Sequence, residues 1–135
     1  MTFSKHVWVD TVHGLIMNAT AKRERALELA YKNFYSPETT QACKDLIESL
    51  RQLLSYVIEN YSMSRSILEK YPPLNDMFRE RINEYKVFTL GDVLKESCSN
   101  LQTSALDVER ILWSKNTSSE EIASAAKRVQ RVQRV

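Results

Sequence analysis

The sequence predicts an all-α protein, built as an elongated up-and-down bundle of three long helices and a shorter C-terminal helix. Apolar residues recur every three or four positions over most of the chain, which keeps them on one face of a helix. The 135 residues include only two glycines and three prolines, so tight turns have few places to form. No segment sustains the period-two alternation typical of strands. At this length we expect residues 1–135 to form a single helical-bundle domain.

The first predicted helix begins after Ser4, a suitable N-cap, and runs to Tyr35. Its apolar positions are Trp8, Val12, Leu15, Ile16, Ala19, Ala26, Ala30 and Phe34. The segment "YSPETT" then starts a second helix, because Ser36 suits the N-cap and Pro37 the first helical position.

The second predicted helix carries the clearest apolar stripe in the chain. Its positions are Cys43, Leu46, Ile47, Leu50, Leu53, Leu54, Val57, Tyr61, Ile67, Leu68 and Tyr71. Pro72 and Pro73 follow, and a residue before proline is disfavoured in the α conformation, so the helix is expected to end near Lys70 or Tyr71. A helix of that length, about 50 Å, requires long neighbours.

The rest of the chain predicts two or three further helices. A helical pattern continues from Leu74 to about Phe88, and Thr89 with Asp92 then forms a variant of the capping box. Gly91 leaves open whether residues 73–115 form one helix or two. A second capping box, formed by Ser118 and Glu121, opens the last helix.

The net charge and the cysteine content limit the classes of protein to which this chain can belong. The 19 basic and 17 acidic residues give a formal net charge of +2, which provides no strong field for recruiting polyanions. Cys43 and Cys98 belong to no CxxC motif, so we expect two buried free thiols. No uncharged run approaches the roughly 18 residues of a membrane span. We therefore expect an intracellular, soluble protein, cytoplasmic or nuclear.

Residues suited to catalysis or metal binding are sparse. The sequence contains no glycine-rich nucleotide-binding motif and no HExxH zinc motif. His6 and His13 lie seven positions apart, about 10 Å along a helix, which is too far to chelate one metal by themselves. We therefore expect a non-enzymatic protein without a metal or other cofactor.

The leading hypothesis is a protein–protein interaction module: an adaptor, an assembly factor or a small structural subunit of a larger complex. Long amphipathic stripes favour an apolar helical seam covered by a protein partner or by self-association. Tryptophan and tyrosine are over-represented among interface hot spots. The candidate anchors are Trp8, Tyr56, Tyr61, Tyr85 and Trp113, together with Val129, Val132 and Val135.

The alternative hypothesis is a nucleic-acid-associated helical accessory factor, which the sequence does not favour. Its phosphate-contacting residues would be Lys22, Arg23, Arg25, Lys127, Arg128, Arg131 and Arg134. In the terminal "KRVQRVQRV" segment the valines continue the apolar stripe of the last helix, and the arginines lie beside it near the negative end of the helix dipole. We expect this helix to fray, to continue into further residues or to finish against a partner.

A four-residue segment, "YPPL" at Tyr71 to Leu74, resembles the short YPxL motif by which some viral and cellular proteins recruit endosomal-sorting adaptors. The resemblance implies an extended, exposed docking peptide. Two strongly helical segments flank it, however, and the proline pair also serves as a helix breaker.

Overall fold

The computed structural model describes residues 5–89 and 94–133. Its elements are α1 (Lys5–Asn33), α2 (Pro37–Glu59), α3 (Tyr61–Lys70), α4 (Pro72–Val87), α5 (Lys95–Trp113), α6 (Ser119–Gln130) and a 3-10 turn (Arg131–Gln133). Within these two ranges the chain forms helices and no strand. The predicted all-α fold is confirmed.

The first half of the bundle is an antiparallel helix pair. Helices α1 and α2 pack along each other after a turn over residues 34–36. Helix α4 runs parallel to α1, since Thr20 contacts Arg81 and, one turn further along both helices, Arg23 pairs with Glu84 at 3.5 Å. The C-terminal half of α1 therefore lies between α2 and α4.

The second half of the bundle packs α5 between α4 and α6. Helix α5 runs antiparallel to α4. The Gln102 side chain donates to the Phe88 carbonyl at 2.7 Å, and Lys86 pairs with Glu109 at 3.0 Å. Helix α6 and the 3-10 turn pack against both α2 and α5, which closes this side of the molecule.

One core joins the six helices. Trp8, Phe78 and Tyr85 are its largest fully buried side chains, and every helix contributes apolar residues to it. Cys43 and Cys98 are both buried, as the sequence predicts. Because all helices share this cluster, burial of apolar surface is the main force that holds them together.

The second predicted helix is divided at Asn60. Helix α2 ends at Glu59 and α3 begins at Tyr61, because Asn60 leaves the helical conformation with φ −111° and ψ 45°. Its backbone N–H and its side-chain amide both donate to the Tyr56 carbonyl, at 3.2 and 2.8 Å, and so hold the end of α2. The predicted end near Lys70 is confirmed.

Residues 73–115 form two helices rather than one. Helix α4 ends at Val87, where Phe88 adopts an extended conformation, and α5 begins at Lys95 with Leu94 as N-cap. Thr89 is therefore not the cap of α5, and its proposed partner Asp92, with Gly91, lies outside the described residues.

Two predicted N-caps are confirmed. The Ser36 hydroxyl accepts from the Thr39 amide at 3.1 Å, with Pro37 as the first residue of α2. The Ser118 hydroxyl accepts from the Glu121 amide at 3.2 Å at the start of α6. The first helix ends at Asn33, two residues before the prediction, and Ser4 lies outside the described residues.

Candidate functional site

An open apolar groove lies at the end of the bundle where α1 and α4 finish and α2 begins. Its volume is about 290 Å³. The side chains that form its walls and floor are Leu27, Ala30, Phe34, Leu46, Val87 and Phe88. We call this surface the α1–α4 groove.

The groove exists because the apolar stripe of α1 extends beyond the end of α4, the helix that packs against it. Ala26 is buried, but Ala30 and Phe34, at the next positions of the stripe, are only partly covered or exposed. Helix α4, which covers this side of α1, ends at Val87. Residue 30 is an alanine, and its small side chain leaves unfilled the space that a larger residue would occupy, so the groove stays open.

An aromatic rim stands beside the groove, on the last turn of α1 and in the turn that follows it. It comprises Tyr31, Phe34 and Tyr35, of which Tyr31 is 96% and Tyr35 90% exposed. Phe34 and Tyr35 meet edge to face with their ring centroids 5.3 Å apart. Tyr31 lies one helical turn from Leu27, and Phe34 both lines the groove and contacts Tyr35, so the rim adjoins the groove.

A polar network closes the other end of the groove. Glu84 of α4 accepts from Arg81 at 2.9 Å and pairs with Arg23 of α1 at 3.5 Å. Arg81 also donates to the Thr20 hydroxyl. Burial raises the pKa of Glu84, and the two arginines act in the opposite direction. These contacts join α1 to α4 without covering the apolar walls.

Cys43 forms part of the groove wall. Burial, followed by the nearby Cys98 thiol, raises the pKa of Cys43. Because the thiolate is the reactive form, Cys43 is a poor nucleophile at neutral pH. The groove therefore offers mainly apolar contact area with a few hydrogen-bonding groups at its edge.

A second hollow, of about 520 Å³, lies between the start of α1 and the start of α4. His6 and His13 both line it. Across residues 5–89 and 94–133 no three metal-ligating side chains come together. Within the same ranges no helix is long and apolar enough to cross a membrane.

Four of the predicted partner anchors lie in the core of the chain. Trp8, Tyr85, Val129 and Val132 are fully buried against other helices. A large apolar stripe in the sequence marks the face that becomes buried, and here the chain's own helices cover that face. These four residues offer no surface to a partner in this fold. Val135 lies outside the described residues.

The other predicted anchors are partly buried and already engaged. The Tyr61 hydroxyl donates to the Ile111 carbonyl at 3.4 Å and accepts from Arg65 at 2.8 Å. The Arg79 guanidinium lies 4.0 Å from the centre of the Trp113 ring. Tyr56 packs against the core. None of the three belongs to the groove.

The basic residues of the alternative hypothesis do not form one cluster. Arg23 pairs with Glu84, and Arg25 pairs with Glu28 at 3.7 Å. Lys22 lies near Asp45 and Glu48 on another face of α1. Arg128 pairs with Asp107, whereas Lys127 and Arg131 are exposed and Arg134 lies outside the described residues.

The YPPL segment is not an extended peptide. Pro72 and Pro73 begin α4, and Leu74 is buried. Tyr71, Pro72 and Pro73 are exposed. The segment therefore acts as a helix start, and the docking function that the resemblance implies would require it to unfold.

The sequence pattern missed Leu27 and Val87 of the groove, and Tyr31 and Tyr35 of the rim. These four residues lie off the main apolar stripes. The signal was the run "LELAYKNFY", which places the large apolar residues Leu27, Tyr31 and Tyr35 at intervals of four towards and beyond the end of α1. A pattern of that kind indicates a surface that needs cover.

Fold and site together define an all-helical protein with an apolar groove and an aromatic rim at one end. Comparison of the chain with family models, with curated proteins and with solved structures yields no match. Its function must therefore be argued from the groove itself.

Proposed function

We propose that this chain is a protein–protein interaction module whose contact surface is the α1–α4 groove with its aromatic rim. One observation carries the proposal. Five large apolar side chains are exposed together: Leu27 (52%), Tyr31 (96%), Phe34 (43%), Tyr35 (90%) and Val87 (73%). Contiguous apolar patches on a protein surface mark interaction sites, because water disfavours them unless a partner covers them.

The composition of the surface also supports a protein partner. Tyrosine contributes a large contact area at low cost in side-chain entropy and is enriched in interface hot spots. The charges beside the groove are mixed, with Arg23 and Arg25 each engaged by a glutamate. Phosphate binding would require such arginines to exchange these partners, so nucleic-acid binding is the weaker hypothesis.

Site-specific photo-crosslinking in the cells that express the protein tests the proposal. A photoreactive phenylalanine analogue replaces Tyr31 in one variant and Tyr35 in another, and adducts are identified by mass spectrometry. Leu106 of α5, which is 54% exposed, provides the control position. We expect strong, discrete adducts from positions 31 and 35 and weak, diffuse ones from position 106. Equal labelling at all three positions would contradict the proposal.

A further inference from the structure

We infer that the partner that covers the α1–α4 groove is a second copy of this chain, related to the first by a two-fold axis. This inference rests on the proposed function and names its partner. In a two-fold interface the same surface is used by both copies, so it must be complementary to itself.

The surface carries a projection and a hollow side by side. Tyr31 and Tyr35 project almost fully into solvent, and the groove lies next to them, since Ala30 and Phe34 line it and the Phe34 ring contacts that of Tyr35. A two-fold axis between them places the tyrosines of each copy against the groove of the other. Both copies then fill their hollow with the same side chains.

The open shape of the groove favours protein side chains over a small molecule. Its volume of about 290 Å³ is at the lower limit of pockets for small ligands, roughly 300 Å³, and such pockets enclose most of the ligand. The groove is open along one side, so it encloses no ligand of that kind. It can accommodate one or two large side chains that enter from outside.

The exposed area is adequate for a specific dimer. Aromatic side chains bury about 150 to 250 Å² each, so Tyr31 and Tyr35 together offer roughly 300 to 500 Å². Leu27, Phe34 and Val87 add to this area. The sum approaches the roughly 800 Å² that each partner contributes to an interface of standard size.

The charges around the surface permit the approach of an identical copy. Arg25 and Lys32 both pair with Glu28, at 3.7 and 3.4 Å. Arg23 pairs with Glu84. These three cations and two carboxylates leave a net charge of +1 on each copy, so the repulsion between like charges of two copies is modest.

The first test measures self-association of the full chain by sedimentation equilibrium over a wide range of concentrations. We expect the wild type to show a monomer–dimer equilibrium. The double variant Tyr31→Ser, Tyr35→Ser should weaken the dimer by about tenfold or more, since hot-spot residues contribute at least that much. Leu106→Ser, at an exposed position on α5, should leave the equilibrium unchanged. Thermal unfolding of each variant confirms that it is folded.

The second test distinguishes this two-fold interface from nonspecific association of exposed apolar side chains. Ala30→Trp fills the groove, while the double serine variant removes the projections. Each variant alone lacks both contacts of the two-fold interface, but an equimolar mixture restores one of them. We therefore expect more dimer in the mixture than in either variant alone. If Ala30→Trp does not fold, Val87→Arg replaces it, because its charge would enter the same contact.

Three results would overturn the inference. One is a wild type that stays monomeric up to about 1 mM, the concentration that corresponds to roughly −4 kcal/mol. The second is a dimer that the tyrosine variant leaves intact. The third is a mixture that forms no more dimer than its components. Failure of the proposed function is distinguishable, since crosslinks from Tyr31 to a different protein would support that function while overturning the second copy.

Discussion

The indole of Trp8 is fully buried, and its N–H group has a specific partner. It donates to the Ser64 hydroxyl at 2.9 Å, and Ser64 in turn donates to the Val57 carbonyl at 2.8 Å. These two bonds join α1 to both sides of the break at Asn60. The apolar pattern of α1 predicts that Trp8 is buried, but its partner lies 56 residues away, and no local pattern could identify it.

Removal of the Ser64 hydroxyl should therefore destabilise the fold. We expect Ser64→Ala to lower the free energy of unfolding by about 1 to 3 kcal/mol, because a buried indole N–H loses its acceptor. The exposed Ser62, on the same helix, provides a control, and Ser62→Ala should change stability by less than about 0.5 kcal/mol. Urea unfolding measures both. In a double-mutant cycle, Trp8→Phe should reduce the cost of Ser64→Ala; strictly additive costs would argue against the bond.

Glu84 provides a prediction on pH dependence. Burial raises the pKa of Glu84 in the folded chain, so the folded state binds its proton more tightly than the unfolded state does. The corresponding stability is present below the ordinary glutamate pKa of about 4.3, and it is lost as pH rises through the raised value. The stability of the wild type relative to Glu84→Gln should therefore fall as pH rises from about 4 to 7.

Glu48 is the matched control for this measurement. Hydrogen bonds from Arg51, at 2.6 and 2.8 Å, lower the pKa of Glu48. Its contribution is present above the ordinary pKa and is lost as pH falls through the lowered value. The difference between wild type and Glu48→Gln should thus change with pH in the opposite sense. If the difference in free energy of unfolding between wild type and variant changes with pH in the same way for Glu84→Gln and Glu48→Gln, the environment of Glu84 is not as described.

At the scale of single elements, helix starts were predictable and one break was not. Ser36, Pro37 and Ser118 are residues whose chemistry satisfies the first turn of a helix, so they mark α2 and α6 directly. The break at Asn60 contains neither proline nor glycine. The apolar stripe continues through it from Val57 to Tyr61 with helical spacing, and for that reason the sequence predicted one helix where there are two.

The two serine caps give a quantitative prediction. We expect Ser36→Ala and Ser118→Ala each to lower the free energy of unfolding by about 1 kcal/mol. Ser36→Ala should lower the free energy of unfolding more than Ser118→Ala does, because the Ser36 hydroxyl also contacts the Thr39 hydroxyl at 3.0 Å. Ser119→Ala, one position inside α6, serves as control and should have little effect. Thermal or urea unfolding measures the series, and an equal cost for Ser118→Ala and Ser119→Ala would rule out the cap.

At the scale of the whole molecule, the sequence predicts which helix faces are apolar, but it does not predict which of these faces are buried by other helices and which stay exposed. Phe34 belongs to the same stripe as Trp8, yet Trp8 is buried and Phe34 is exposed. The difference depends on where α4 ends relative to α1, which is a property of the assembled bundle. The groove was therefore beyond prediction, although the residues that line it include members of the predicted stripe.

The two cysteines report on opening of the fold. Cys43, in the wall of the groove, and Cys98 are each only 4% exposed, and alkylation of Cys98 by iodoacetamide requires the bundle to open. We expect labelling in native buffer to be slower than in urea by at least about a hundredfold, the factor that roughly 2.7 kcal/mol of opening free energy gives. A cysteine introduced as Leu106→Cys should react at once. Native cysteines that react as fast as this exposed one would contradict the burial described above.

The bond between Trp8 and Ser64 also has an evolutionary consequence. The Ser64 hydroxyl accepts from the indole at position 8 and donates to the Val57 carbonyl, so loss of the indole removes one of its two roles, whereas loss of the hydroxyl leaves the buried indole N–H without its acceptor. Among related chains the two positions should therefore vary together, with phenylalanine or leucine at position 8 accompanied by alanine at position 64. The identity of one residue would then forecast the other across a separation at which neighbouring sequence carries no information.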